Sequence, residues 1–183
     1  NSTYHVTQVG YPIASFYLMN QTGIFQTAAE VASSPLQSPK VVPGDPKFED
    51  ITGDGKINAS DKKVVGSPWP DYVWGFDNRF SYGDFTLNVS LIGSHGGETY
   101  FQGGEVIYSL TAVQNQLALA NNRWVSETQP GDGVTPRTIR NNYAFGFGTG
   151  TSRLMFDNSF VRVKNVNLAY NVPKKVISRL NMT

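Results

Sequence analysis

The chain has 183 residues, a formal net charge of +1 and no cysteine, with 13% aromatic and only 16% charged residues. The near-neutral charge gives no indication of a nucleic-acid partner, and the missing cysteines exclude disulfides, thiolate zinc sites and cysteine nucleophiles. No apolar run is long enough for a transmembrane helix, whereas barrel strands of about 9–11 alternating residues need no such run. The chain starts at Asn1 without a signal peptide, so we expect it to be a piece of a longer protein.

A short strand is expected at Ser2–Val9, and the long connection after it, roughly residues 10–70, contains a calcium-type motif at residues 50–61. This DITGDGKINASD segment has the spacing of a twelve-residue calcium loop. Its ligand positions are occupied by Asp50, Thr52, Asp54, Lys56 (through its carbonyl), Asn58 and Asp61. Thr52 and Asp61 depart from the usual residues, and no flanking helices are evident. The sequence therefore leaves two hypotheses: a site for calcium or a similar hard cation, or a glycine-rich turn whose Asp side chains accept hydrogen bonds from backbone amides.

Residues 71–93 carry the clearest strand pattern, in two runs separated by a tight turn at Ser81–Asp84, where Gly83 is suited to positive φ. Large apolar side chains share one parity in each run, and we predict that these face lipid: Tyr72, Trp74, Phe76, Phe80, Phe85, Leu87, Val89 and Leu91. Asp77, Arg79 and Asn88 have the opposite parity and are predicted to face a barrel lumen, together with Asn167. A run of ten or so residues extends ~33 Å, enough for a tilted membrane strand. The pattern predicts a β-hairpin.

Two long connections, roughly residues 10–70 and 94–158, alternate with short ones, which is typical of outer-membrane barrels with long extracellular loops. Within the second, apolar residues at helical spacing over residues 106–120 predict a short amphipathic helix ending near Asn121 and Asn122, which would pack the loop onto the barrel rim. The sequence shows no grouping of a nucleophile with a base, or of an acid with a base, that is typical of a catalytic site. We therefore do not expect an enzyme.

Residues 159–183 are expected to form a strand, a bend around Val172–Lys175 and the start of a further strand. Between Val163 and Val166 the apolar side chains change parity. Because a strand cannot change face without an inserted residue, this predicts a β-bulge near Lys164 and Asn165. The alternative is that Val161 and Val163 lie above the membrane, where parity is free.

Seven motifs, in order along nearly the whole chain, resemble those of the SusC/RagA branch of TonB-linked outer-membrane receptors. They are VGYPIASFY at residues 9–17, GIFQ at 23–26, PGDPKFEDITGDGKI at 43–57, VGSPWPDYVWGF at 65–76, NRFSY at 78–82, RW with TPR between 123 and 137, and FVRVKNVNLAY with Pro173 from residue 160 onward. Ala14 and Thr52 stand where the family usually has Gly and Asn.

This resemblance implies an all-β fold: the C-terminal part of a large plugged transmembrane antiparallel β-barrel, with a short loop helix, in the outer membrane of Bacteroidetes-type bacteria. It also implies uptake of glycans or peptides together with a SusD-like surface lipoprotein, driven by the TonB complex through an N-terminal part absent here. Other partners would be the remainder of the barrel and membrane lipid, with the loops facing the cell exterior. Four aromatic residues in these loops could stack on sugar rings, although packing inside the folded loops is the commoner role for such residues: Trp69, Tyr100, Trp124 and Tyr143.

One rival reading is a soluble, calcium-stabilised β-module that binds glycan at the cell surface. It requires Trp74, Phe76, Leu87 and Val89 to pack in a closed core instead of facing lipid. The position of these side chains therefore separates the two interpretations.

Overall fold

The computed structural model describes residues 4–103, 108, 110, 115–139 and 150–179. By its contacts the chain divides into a first unit, Asn1–Pro68 with Glu98–Phe156, and a second unit, Trp69–Gly97 with Asp157–Thr183. Most regular structure is β-strand, and the described α-helices have six residues each. The predicted all-β class is confirmed. Within the described ranges, no helix has the length and apolar character needed to cross a membrane.

The first unit consists mainly of short strands, although the sequence suggested long connections for most of it. The elements are β1 (His5–Val6), β2 (Ser15–Met19), β3 (Gln21–Ile24), α1 (Ala28–Ser33), β4 (Pro46–Phe48), β5 (Lys62–Gly66), β8 (Glu98–Tyr100) and β9 (Met155–Asp157). They form one sheet in the order β1-β2-β5 and the pairs β3-β4 and β8-β9. Strands of two to five residues contain too few alternations to be recognised in the sequence. The expected strand at Ser2–Val9 is reduced to His5–Val6 in the described residues.

The core of the first unit is small. Its buried apolar side chains include Phe16, Leu18, Met19, Ile24, Phe25, Phe48, Ile57 and Leu154. Met19, Phe48 and Ile57 form one cluster, so the calcium-type segment contributes an apolar anchor through Ile57. Two backbone hydrogen bonds fix the same segment to a neighbouring loop: the Ile57 amide donates to the Leu36 carbonyl at 3.0 Å, and the Leu36 amide donates to the Gly55 carbonyl at 2.9 Å.

The second unit is a three-stranded antiparallel sheet in the order β10-β7-β6, with β6 at Tyr72–Tyr82, β7 at Phe85–His95 and β10 at Phe160–Tyr170. Strands β6 and β7 form the hairpin expected for residues 71–93, and pairing continues from Tyr72 opposite His95 to Tyr82 opposite Phe85. Gly83 in the two-residue turn has φ of 55°, the left-handed conformation that this turn requires.

A β-bulge lies where the sequence predicted one. The register of β10 against β7 shifts between Val163 and Asn165, so Lys164 has no partner in β7. Val163 pairs with Leu91 before the shift, and Val166 pairs with Val89 after it. The parity change in the sequence is thus compensated, and both parts of β10 present their apolar side chains on one face. The bulge accounts for the parity change by itself, so the alternative that Val161 and Val163 lie above the membrane is not needed to explain it.

Two expectations about helices need correction. A helix was expected over residues 106–120, and many of these positions lie outside the described residues. Among those described, residues 115–117 are not helical, and a 3-10 helix covers Ala118–Asn122. The predicted end is therefore correct, but the described part has the tighter helix type. After β10, the expected start of a strand is instead a second helix, α2, at Lys174–Arg179. Pro173 immediately precedes it, and its fixed φ favours helix initiation as well as a bend.

Deleting Lys164 is expected to leave Val166, Leu168 and Tyr170 on the apolar face, because it removes the one unpaired residue and keeps every pair between β10 and β7 in register. Limited proteolysis of the full-length protein should therefore show that the resistant folded form is retained. Deleting Asn167 instead should lower the resistance, because Val166 and Leu168 would then be adjacent and could not share one face. Equal resistance of the two deletion variants, or loss of the resistant form on deletion of Lys164, would contradict the assigned register.

Candidate functional site

The second unit presents a broad apolar face across its three strands. Cross-strand pairs on this face include Phe76 with Leu91 and Phe80 with Leu87. The face comprises Tyr72, Trp74, Phe76, Phe80, Tyr82, Phe85, Leu87, Val89, Leu91, Val161, Val163, Val166, Leu168 and Tyr170. All eight residues predicted to face lipid belong to it. These side chains are not in the buried core: Phe76 is 51% exposed and Leu168 69% exposed. The closed core required by the soluble-module interpretation is therefore not formed by them in the described chain.

Aromatic rings lie near both ends of this face. At one end, the Tyr72 and His95 ring centroids are 5.1 Å apart. At the end with the turn, those of Phe85 and Tyr170 are 4.6 Å apart, and Tyr82 pairs with Phe85. Ten residues of rise separate Tyr72 from Tyr82, which corresponds to ~33 Å along the strand and ~25 Å after a tilt of about 40°. That height matches the apolar band between the aromatic girdles of membrane barrels, about 25 Å.

The opposite face of the same sheet is mainly polar, with Val73, Ile92 and Phe160 as apolar exceptions near one end. The Ser90 hydroxyl donates to the Asp77 carboxylate, and the hydroxyls of Ser81 and Thr86 are 3.3 Å apart. The register also aligns Arg79, Asn88 and Asn167 in a row across the three strands. All four residues predicted to face a lumen therefore lie on one face. A sheet with one predominantly apolar and one polar face is the arrangement found in the wall of a membrane barrel.

The calcium-type segment in the first unit is organised around Asp61, whose side chain is buried. One carboxylate oxygen accepts hydrogen bonds from the Ile51 and Thr52 amides, both at 3.1 Å, and from the Thr52 hydroxyl at 3.0 Å. The other accepts from the Asn58 amide at 2.8 Å. Burial raises the pKa of Asp61, but the hydrogen bonds from Asn58, Thr52 and Ile51 outweigh it and hold the pKa below its ordinary value.

The two remaining carboxylates of the segment also accept backbone hydrogen bonds. Asp50 accepts from the Gly53 amide at 2.7 Å and the Gly55 amide at 2.9 Å, and Asp54 accepts from the Lys56 amide at 2.8 Å. Among the described residues, no group of three or more His, Cys, Asp or Glu side chains is arranged to hold a metal ion. The geometry thus corresponds to the hydrogen-bonded turn, the second of the two hypotheses. Calcium binding stays a prediction.

The four aromatic residues predicted to contact substrate have different environments. Trp69, in the second unit, is 60% exposed. In the first unit, Tyr100 packs against Leu154, and its ring centroid is 4.8 Å from that of Tyr4. The Trp124 ring lies so close to Gly44 that a Cβ there would be 2.6 Å from Trp124 Cε3. Tyr143 is outside the described residues. Of the three that are described, Trp69 is exposed enough for stacking, whereas Tyr100 and Trp124 contribute to packing.

Sequence reasoning missed a buried ion pair that joins two distant segments of the first unit. Arg137 Nε donates to Asp45 Oδ1 at 2.8 Å, and the Asp45 side chain is 1% exposed. The Val42 amide donates to the second Asp45 oxygen at 3.1 Å, and the Arg137 amide donates to the Gly44 carbonyl at 2.9 Å. The only signal in the sequence was that both partners belong to the family-like motifs PGD and TPR. These motif residues hold the unit together.

Comparison with known proteins agrees with this architecture. No family model matches the chain. It is 29% identical over 181 residues to TonB-dependent receptor P3 of Formosa agariphila, covering 97% of this chain and 17% of that receptor. It is 33% identical over 168 residues to TonB-dependent receptor P26 of the same organism, covering 90% of this chain and 16% of that receptor. The chain thus spans less than a fifth of the length of the curated relatives it matches.

A strand pattern with one apolar and one mainly polar face, aromatic rings at both ends and long connections is typical of the class of outer-membrane β-barrel proteins. The two relatives are similar over nearly the whole chain and show which members of that class it resembles. The chain belongs to the TonB-dependent receptors, as a segment of one.

The Asp61→Asn substitution is expected to weaken the calcium-type segment, because the Asn amide group cannot accept all the hydrogen bonds that the Asp61 carboxylate accepts. Leaving one of these backbone amides unsatisfied costs about 1–3 kcal/mol. Hydrogen exchange at the Ile51, Thr52 and Asn58 amides in the full-length protein measures the free energy of local opening, which should be lower in the Asp61→Asn variant. Asp54→Asn, at an exposed carboxylate that accepts from the Lys56 amide, is the control and should change it little.

The pH dependence of this effect has a defined sign. The pKa of Asp61 is lower in the folded protein than in the unfolded chain. Its contribution to stability is therefore complete above the unfolded value, about 3.9, and is lost as pH falls through the folded value. The difference in opening free energy between the unmodified protein and the Asp61→Asn variant should be constant near neutral pH and shrink below about pH 4. A difference that grew on acidification would contradict the assignment.

Proposed function

We propose that the chain forms part of the wall and the extracellular loops of an outer-membrane importer of the SusC/RagA type. The observation that carries this proposal is the apolar face of the second unit. It extends over all three strands only because the bulge at Lys164 restores its parity. A water-soluble sheet gains nothing from leaving such a face open, whereas lipid hydrocarbon stabilises it.

Chain connectivity supports the orientation of this segment. Strands β6 and β7 are joined by the two-residue turn at Gly83, whereas their opposite ends and the start of β10 connect to residues of the first unit. Outer-membrane barrels have short periplasmic turns and long extracellular loops. The turn end is therefore assigned to the periplasm and the first unit to the cell exterior. The polar face with Asp77, Arg79, Asn88 and Asn167 would then line the lumen.

Transport partners follow from the family and from the motif resemblance. An importer of this kind receives energy from the TonB complex through its N-terminal part, and a SusD-like lipoprotein would cover its outer mouth. The cargo would be glycans or oligopeptides too large for passive diffusion, with the exposed Trp69 ring stacking on a sugar ring. We assign a transport role to the chain, not an enzymatic one. The two relatives come from Formosa agariphila, which agrees with the Bacteroidetes-type origin that the motifs imply.

Calcium binding by residues 50–61 is a further part of the proposal, supported by the spacing of oxygen-bearing residues in the sequence. Elemental analysis of the purified full-length receptor should find calcium, and the double substitution Asp50→Asn with Asp54→Asn should reduce it. Asp132→Asn, at another hydrogen-bonded carboxylate of the first unit, is the matched control and should retain the metal. Absence of calcium from the unmodified receptor, or equal calcium in all variants, would leave the hydrogen-bonded turn as the explanation.

Lipid exposure of the apolar face is tested by placing one charge on each side of β7. Leu91→Arg in the full-length receptor should lower the free energy of unfolding by about 2–4 kcal/mol, the cost of a cationic side chain near the bilayer midplane. Asn88→Arg, on the polar face, should cost much less. Urea unfolding of the receptor refolded into lipid vesicles measures both. Equal costs, or a receptor that stays monodisperse in water without detergent, would favour the soluble β-module.

A further inference from the structure

One polar residue, Asn78, interrupts the apolar face at the middle of β6. The register places it opposite Val89, which is paired in turn with Val166 of β10. Its same-face neighbours along β6 are Phe76 and Phe80. Because β6 extends from Tyr72 to Tyr82, Asn78 lies near the centre of the strand. If this face meets lipid, the amide lies near mid-membrane.

A primary amide in hydrocarbon needs a hydrogen-bonding partner, since burying it without one is costly. The neighbouring side chains Val89, Phe76 and Phe80 offer no hydrogen-bonding atoms. The side of Asn78 towards β7 therefore cannot satisfy its amide, and the remaining side is the outer edge of β6.

The outer edge of β6 has no paired strand among the described residues. In a closed barrel, every strand edge is paired, because unpaired backbone groups are not tolerated in the bilayer. The chain spans 17% and 16% of the two relatives, so most barrel strands lie outside it. On adjacent antiparallel strands, opposite same-face side chains have Cβ atoms about 4.5–5.5 Å apart, within reach of an amide.

We propose that Asn78 forms a side-chain hydrogen bond with the next strand of its own barrel, the segment of the receptor that pairs with the outer edge of β6. The boundary between β6 and that strand is called the seam below. The partner is a hydroxyl or carboxamide side chain on the lipid-facing side of that strand, opposite or diagonal to Asn78. This pair fixes the register of the seam, because a slip by one residue would leave both polar groups in hydrocarbon. The inference depends on the lipid exposure proposed above.

The sign of the effect of Asn78→Leu distinguishes this pair from an isolated amide. If the amide has a partner, the Leu variant removes a hydrogen bond and leaves the partner unsatisfied, which should lower the folding equilibrium constant of the full-length receptor about five- to tenfold. If Asn78 only faces lipid, Leu replaces a polar group by an apolar one and should raise that constant. Urea unfolding of the receptor in lipid vesicles gives the constant in both cases.

Two control variants make the test specific. Phe80→Leu alters a neighbouring side chain of the same face without involving a polar group and measures the loss of packing alone. Asn78→Gln retains the amide and should recover part of the stability that Asn78→Leu loses. An unchanged or raised constant for Asn78→Leu would overturn the proposal. So would a change in oligomeric state by light scattering without loss of stability, because the partner would then be a second receptor molecule.

Failure of this inference can be told apart from failure of the proposed function. If Leu91→Arg is far more costly than Asn88→Arg, the face meets lipid, and a stabilising Asn78→Leu then rejects only the seam pair. If the two arginine variants are equally costly, the lipid-facing assignment itself fails, and the seam pair fails with it.

Discussion

Alternation of side chains along extended strands is the constraint on which the second unit depends. Each residue turns its side chain to the face opposite its neighbours, so eleven-residue strands can be predominantly apolar on one side and polar on the other. Without a bulge, β10 would place its apolar side chains on both faces, because Val161 and Val163 are at odd positions whereas Val166 is at an even one. The bulge at Lys164 adds one unpaired residue and thereby keeps Val163 and Val166 on the same face as Leu91 and Val89.

The first unit is stabilised differently, by buried carboxylates in addition to apolar contacts. Asp61 accepts hydrogen bonds from three backbone amides, and Asp45 is paired with Arg137 and bonded to the Val42 amide. Both carboxylates join chain segments whose strands are too short to pair extensively. Because breaking a buried ion pair leaves an uncompensated charge, the Asp45–Arg137 link favours one arrangement of its two segments over others. A small apolar core around Met19 completes the packing.

The success of sequence reasoning depended on the length of each periodic signal. The hairpin and the bulge were predictable because ten or more residues alternate, so a single departure from parity is visible. Strands such as Pro46–Phe48 are too short for that, and α2 was missed because Pro173 is compatible with both a bend and a helix start. Which of the loop aromatic residues stays exposed was not predictable, since the exposure of Tyr100 and Trp124 depends on contacts with residues distant in sequence, such as Tyr4 and Gly44.

Where the structure shows the contacts of the family-like motifs, these contacts stabilise the fold. The PGD and TPR motifs meet at Asp45 and Arg137, the DITGDGKI motif is closed by the Asp61 carboxylate and anchored by Ile57, and the strand motifs supply the apolar face. Substitutions at such positions disturb packing or register in any receptor of this architecture, whatever its cargo. Identity of 29–33% to the two relatives is therefore consistent with a shared architecture for this segment. In the proposed function, cargo recognition would depend on exposed loop residues such as Trp69.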